Sequence, residues 1–216
     1  MPSISAENYL KNIYELGIGE EKVTTSLLAE RLGISPASVT GMVKKLSKQG
    51  FLRHVPYKGV EVTGKGKRSA LKVIRKHRLW EMFLLEVLHF PWDSIHEEAE
   101  EFEHIMSERI EDRIDEVLGH PTVDPHGAPI PRKDGTIKQL RLKPLADAGE
   151  LATVRVLTIT DKDPELLKYA TSIGIKLNTR VFVKQKNTFD DSIVIRIGSR
   201  ETVVSSKLSQ NIFVEM

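Results

Sequence analysis

The chain has 216 residues, 40% of them hydrophobic and 29% charged, enough for one large domain or two to three small ones. It holds no apolar run of about 18 residues, which excludes a membrane-spanning helix. It also has no cysteine, which excludes disulfides and thiolate metal sites. The net charge of +2 conceals a strong asymmetry. Residues 1–76 carry 14 basic against 6 acidic side chains, residues 77–118 carry 3 against 13, and the remainder 15 against 11. A basic first third suits a polyanion such as DNA, and an acidic middle suits cations. The opening Met1-Pro2-Ser3-Ile4-Ser5 has neither a basic nor an apolar leader stretch, so a cytoplasmic location is expected.

In chain order, residues 5–16 read as a helix, with Ser5 as cap, Tyr9, Leu10, Ile13 and Leu16 as its apolar stripe, and Gly17 as its end. Thr24 or Thr25 can cap a second helix carrying Leu27, Leu28, Ala29 and Leu32, and Gly33 supplies the turn. Ser35-Pro36 opens a third, because serine caps well and proline suits the first helical position. Val39, Met42, Val43 and Leu46 are its buried face. Two β-rich runs around Pro56-Tyr57-Lys58-Gly59 follow as a hairpin, completing a winged helix-turn-helix. On the third helix Ser35, Pro36, Ala37, Ser38, Thr40, Gly41 and Lys44 are candidates to face a DNA groove. Lys45, Lys48, Tyr57 and Lys58 are candidates for phosphate contact.

Thr63 can cap a long helix to about Leu88, and Ser94 another to Leu118, an antiparallel pair with more apolar surface than one hairpin buries, which predicts a homodimer. The second of these holds His96-Glu97-Glu98-Ala99-Glu100-Glu101-Phe102-Glu103-His104. At helical spacing His96, Glu100, Glu103 and His104 share a face, and Glu97, Glu98 and Glu101 point away. Upstream, His77 and Glu81 form another i,i+4 pair. Imidazole and carboxylate on two helices suit a divalent first-row cation. Four prolines between His120 and Pro131 mark an ordered linker. From about Ala148 the pattern alternates with period two through 153–157, 180–184, 192–197 and 201–204, with a short helix from Pro164 to Ile173, which suggests a small β-barrel.

These residues resemble the diphtheria-toxin-repressor-like metalloregulators. The resemblance spans essentially the whole chain. It rests on Asn8-Tyr9-Leu10 with Ile13-Tyr14-Glu15, on Arg75-Lys76-His77-Arg78-Leu79-Trp80-Glu81, and on His96-Glu97-Glu98-Ala99-Glu100 with Glu103-His104. Asp124-Pro125-His126-Gly127 before Pro129-Ile130-Pro131 adds to it. It implies a mainly α chain with a smaller β part: a winged-helix DNA-binding domain over 1–72, a helical dimerisation and metal domain over 73–143, and an SH3-like β-barrel over 148–216. One implied metal site uses Glu100, Glu103 and His104 with Asn8. A second uses His77, Glu81 and His96, or in some branches Asp124, His126 and Asp161. The chain departs from relatives at three ligand positions. Glu100 and Asp124 stand where some members place cysteine, and Asn8 stands where manganese-type members usually place aspartate.

The expected function is therefore a homodimeric repressor of metal-ion homeostasis genes that binds double-stranded operator DNA with Mn(II) or Fe(II) as co-repressor. It is not expected to be an enzyme or to touch a membrane. Two other readings stay open on sequence alone: a metal-dependent hydrolase built on the carboxylate–histidine cluster, and a winged-helix regulator indifferent to metal. No substrate cleft is marked in support of the first.

Overall fold

Capping side chains and left-handed glycines punctuate the N-terminal helices. The computed structural model describes residues 2–19, 23–55 and 59–215. Tyr57 and Lys58 lie outside the described residues. Two compact units emerge: Met1–His77 with Glu103–Met106 and Pro131–Ile137, and Arg78–Phe102 with Ser107–Ile130 and Lys138–Met216.

The first unit holds α1 (Ile4–Gly19), α2 (Thr25–Leu32), α3 (Pro36–Lys48), β1 (Leu52–Val55), β2 (Gly59–Val62) and the first part of α4 (Gly64–Glu86). Ser3, not Ser5, caps α1, its Oγ accepting from Ala6 N at 3.3 Å. The helix also runs through Gly17. An interior glycine costs only about 1 kcal/mol, too little to end a helix on its own. Thr24 caps α2 by accepting from Leu27 N, and Gly33 ends it at φ 65°. Ser35 caps α3 by accepting from Ser38 N, with Pro36 at the first turn. The hairpin pairs Leu52 with Val62 through Val55 with Gly59. Leu10, Ile13, Leu28, Val39, Leu46 and Leu71 are fully buried in the core these elements share. Each such side chain contributes about 1.5–3 kcal/mol by leaving water.

The second unit begins with the rest of α4, then α5 (Ile95–Phe102) and α6 (Glu108–Val117). The single helix expected over 94–118 is thus broken. Glu103 and Met106 are buried, drawing the chain out of helical register after Phe102. Ser107 then restarts it by accepting from Ile110 N, with Glu108 and Glu111 in the first turn where the helix dipole favours acid.

The C-terminal part contains β3 (Lys143–Pro144), a tight 3-10 turn at Leu145–Asp147, β4 (Thr153–Ile159), α7 (Pro164–Ser172), β5 (Arg180–Lys186), β6 (Ile193–Ile197), β7 (Arg200–Val204), α8 (Ser206–Gln210) and β8 (Ile212–Glu215). The six strands form an antiparallel sheet in the order β3-β8-β4-β5-β6-β7. Among the described residues its end strands do not pair, so the sheet is open where a closed barrel was expected. Val156, Ile159, Leu167, Val181, Val183, Ile195 and Val214 form its buried core.

A turn at Asp124–Ala128 leans on β4. Gly127 sits at φ 88°, and a Cβ there would lie 1.9 Å from Leu157 O. Gly127→Ala should therefore lower the melting temperature of the metal-free protein, with a cost of about 1–3 kcal/mol from the backbone conformation alone, read by calorimetry.

Candidate metal centres

Within the second unit, the Asp124 turn is held from three sides. Asp124 Oδ1 accepts from His126 N and Ala128 N, both at 2.9 Å. His126 O accepts from Ile159 N of β4 at 3.0 Å. Trp92 Nε1 donates to Pro125 O at 3.0 Å, and its ring packs 5.1 Å from the His126 imidazole. His126 Nε2 lies 3.3 Å from Trp92 O. A carbonyl partner requires the proton on Nε2, which leaves the lone pair on Nδ1.

That Nδ1 is buried, has no hydrogen-bond partner and lies 3.8 Å from Glu81 Oε1. Asp124 Oδ2 is also buried without a hydrogen bond, with Arg78 Nε 3.2 Å away. Glu81, Asp124 and His126 each offer a ligand atom, all within 4.8 Å of one another, and all three are buried. Beside them His96 Nδ1 lies 3.2 Å from Glu81 Oε1 and 3.5 Å from Asp161 Oδ2. Its Nε2 is 3.7 Å from Glu100 Oε1. α4 supplies Glu81, α5 supplies His96 and Glu100, the proline-rich turn supplies Asp124 and His126, and the residue two past β4 supplies Asp161.

The electrostatics follow from three carboxylates in one poorly hydrated place. Burial raises the Asp124 carboxyl and the Glu81 charge raises it further, against the opposing pull of Arg78. Burial alone would lower His96, but hydrogen bonds and charge from Asp161 and Glu81 outweigh it and lift it to about 10. Burial would raise Asp161, and its bond to His96 holds it below the usual range instead. The His96 imidazolium thus joins Arg78 as a cation of the ion-free cluster. Oxygen and imidazole donors, with buried atoms on His126 and Asp124 that make no hydrogen bond, fit a divalent first-row metal.

A second cluster lies within the first unit. Glu103 is fully buried, and its Oε2 accepts from Lys11 Nζ at 2.6 Å and contacts His77 Nδ1 at 2.7 Å. Its Oε1 is 3.1 Å from His104 Nε2. His104 reaches α1 through Nε2 to Asn8 Oδ1 at 2.5 Å and Nδ1 to Glu7 Oε2 at 2.8 Å. Burial would raise Glu103, but His77 and Lys11 hold it below the ordinary carboxylate range.

Within the first unit Asn8, His77, Glu103 and His104 are therefore brought together, and within the second Glu81, His96, Glu100, Asp124, His126 and Asp161. The unbroken helix expected to carry Glu100, Glu103 and His104 does not form: α5 ends at Phe102, and Glu103 and His104 lie in the turn beyond it. Glu97, Glu98 and Glu101 are exposed, as the spacing predicts. Glu7, Lys11, Arg78 and Trp92 are absent from the sequence reading of the sites. Glu7 and Lys11 were within reach of it, since they sit four apart beside Asn8.

On α3, Ser35, Pro36, Ala37, Ser38, Gly41, Lys44, Lys45 and Lys48 are exposed, opposite buried Val39, Val43 and Leu46. Two hydroxyls are already engaged: Thr40 Oγ1 donates to Pro36 O at 2.8 Å, and Ser35 Oγ caps the helix. The exposed charge on this face is lysine.

The chain matches three family models. Residues 1–60 match the iron dependent repressor N-terminal DNA binding domain, 63–132 the iron dependent repressor metal binding and dimerisation domain, and 143–216 the FeoA domain. The iron-dependent repressor IdeR of Mycobacterium leprae is 34% identical over 98% of this chain and 96% of its own. A manganese-dependent transcriptional repressor solved in complex with manganese superposes with a TM-score of 0.92 at 38% identity, covering 97% of this chain and 98% of the other. The manganese regulator SloR superposes at 0.83 with 33% identity over 97% of each chain.

The raised His96 has a signed consequence for stability. A group charged more readily in the folded state stabilises it fully below its ordinary value of about 6.5, and loses that contribution as pH climbs through its folded value. The metal-free protein should therefore weaken between about pH 6.5 and pH 10 in urea unfolding, and His96→Gln should flatten that decline.

Proposed function

The chain belongs to the iron-dependent, diphtheria-toxin-repressor-like family, and from that premise we propose that it represses transcription by binding operator DNA when Mn(II) or Fe(II) is bound. The observation that carries the metal part is the buried trio Glu81, Asp124 and His126, with an Nδ1 that has no hydrogen-bond partner and an Oδ2 met only by the Arg78 charge. With His96 and Asp161 these residues would hold the ion. When bound it supplies a double positive charge among carboxylates that otherwise rely on Arg78 and the His96 proton. The absence of thiolate suits Mn(II) and Fe(II) over softer ions. The centre on Asn8, His77, Glu103 and His104 is assigned to the same family system.

DNA would be met by α3. Lys44, Lys45 and Lys48 are placed for phosphates, and Ala37, Ser38 and Gly41 are small enough for close approach to base edges. With no arginine on that helix, part of the sequence preference would come from DNA shape. Chain ranges 1–72, 73–143 and 148–216 would serve as DNA-binding, dimerisation and SH3-like modules, the open six-stranded sheet being the core of the last. No described helix is long and apolar enough to cross a membrane, and a repressor works in the cytoplasm, where its operator lies.

A groove lined by Phe83, Ile110, Ile114 and Val117, rimmed by Ser107, Arg109 and Arg113, is a largely apolar surface suited to a second copy. Sedimentation at micromolar concentration should give about twice 24.4 kDa, and a strict monomer with or without metal would remove the homodimer from this account.

The functional test is fluorescence anisotropy on DNA from upstream of the protein's own gene. Mn(II) or Fe(II) should tighten binding and a chelator should release it. Asp124→Ala and His126→Ala should lose at least about tenfold of that activation while remaining folded. Exposed Glu97→Ala should behave as wild type. Equal binding with and without chelator would show a regulator that ignores metal.

A further inference from the structure

Within the first unit, the lysine face of α3 continues beyond the end of that helix. A hollow lined by Gly41, Lys44, Lys45, Lys48 and Gln49 meets a second one at Lys45 and Gln49. The second runs on past Phe51 and Lys65 to the start of α1 at Pro2, Ser3 and Ala6. No acidic side chain lines either hollow. Lys65, in the first turn of α4, is exposed yet held in place. Its Nζ donates to Gln49 O at 3.0 Å and lies 4.1 Å from the centre of the Phe51 ring. An ammonium carries three donors, so that bond leaves capacity for an anion.

We propose that Lys65 is a further DNA contact: it receives a backbone phosphate where the strand leaves α3, and so extends the phosphate track from Lys44 and Lys48 through Lys45 to the start of α4. This rests on the DNA-binding reading of α3. Two properties of the groove favour a nucleic-acid backbone as its occupant. It is continuous with the helix assigned to the DNA groove, and its charged lining is of one sign, as a row of phosphates requires. A solvated lysine loses rotamer freedom when it takes a phosphate. Lys65 has already lost part of that freedom to Gln49 O and the Phe51 ring, which lowers the cost of the contact. A phosphate contact carries no base information, so Lys65 sets affinity and register, not sequence preference.

The test is the salt dependence of DNA binding by the full chain with Mn(II), on the upstream DNA and on an unrelated duplex. Lys65→Met should flatten the log–log salt slope by about 0.9, so that its deficit against wild type shrinks about threefold between roughly 50 and 200 mM salt, alike on both duplexes. Lys65→Arg should keep the wild-type slope. So should Lys67→Met, whose ammonium lies 5.9 Å from the Tyr14 ring, two residues on and thus on the other side of α4. Replacing single phosphates by neutral methylphosphonates should reveal a position that weakens wild type and leaves Lys65→Met unchanged. Should Lys65→Met fold poorly, Lys65→Gln gives the same readings. An unchanged slope in the folded variant, equal flattening by Lys67→Met, or no such phosphate would overturn this inference and leave the repressor reading standing. No retention of either duplex by wild type, with or without metal, would overturn both.

Discussion

Burying the carboxylates of Glu81 and Asp124 side by side is the constraint around which the second unit is arranged. Ionised groups of one sign cannot share a dry space without compensation. Arg78 supplies part, His96 supplies part through a proton it holds well beyond the ordinary imidazole range, and the rest is a standing demand for a cation. The arrangement is unfavourable as pure structure and makes sense as a receptor. The same logic applies to buried Glu103: Lys11 and His77 answer its Oε2, while Oε1 is buried without a hydrogen bond.

The geometry of the proposed receptor is set in part by groups outside the trio of Glu81, Asp124 and His126. Asp124 spends one oxygen on two backbone amides, so the other is aimed rather than free to rotate. Trp92 fixes both the turn, through Pro125, and the protonation pattern of His126, through its own carbonyl. Gly127 lets the turn approach Leu157 more closely than any side chain would allow. Ligands held this way lose little freedom on capture, so the gain in binding goes into occupancy rather than ordering.

Much of this was legible in the amino-acid order because it is local. Thr24, Ser35, Pro36 and Gly33 announce the helix-turn-helix by capping chemistry that operates over three or four residues. Strands β4 to β7 announce themselves by alternation, whereas β8 and the two-residue β3 are too short to carry a period. The single helix read through Glu100, Glu103 and His104 is broken, whereas periodicity assumes an uninterrupted run. Burial of Glu103 and Met106 and the Ser107 cap end that assumption at Phe102. Lys11 and Arg78 escaped because their partners lie 92 and 46 positions away, a pairing that no spacing rule encodes.

The aspartate at position 124 has a chemical consequence beyond charge. A thiolate at this corner could be carried by peroxide to sulfenic and sulfinic acid. A carboxylate has no such ladder to climb. With no cysteine anywhere in the chain, the proposed donor set holds no thiol that oxidation could remove from it.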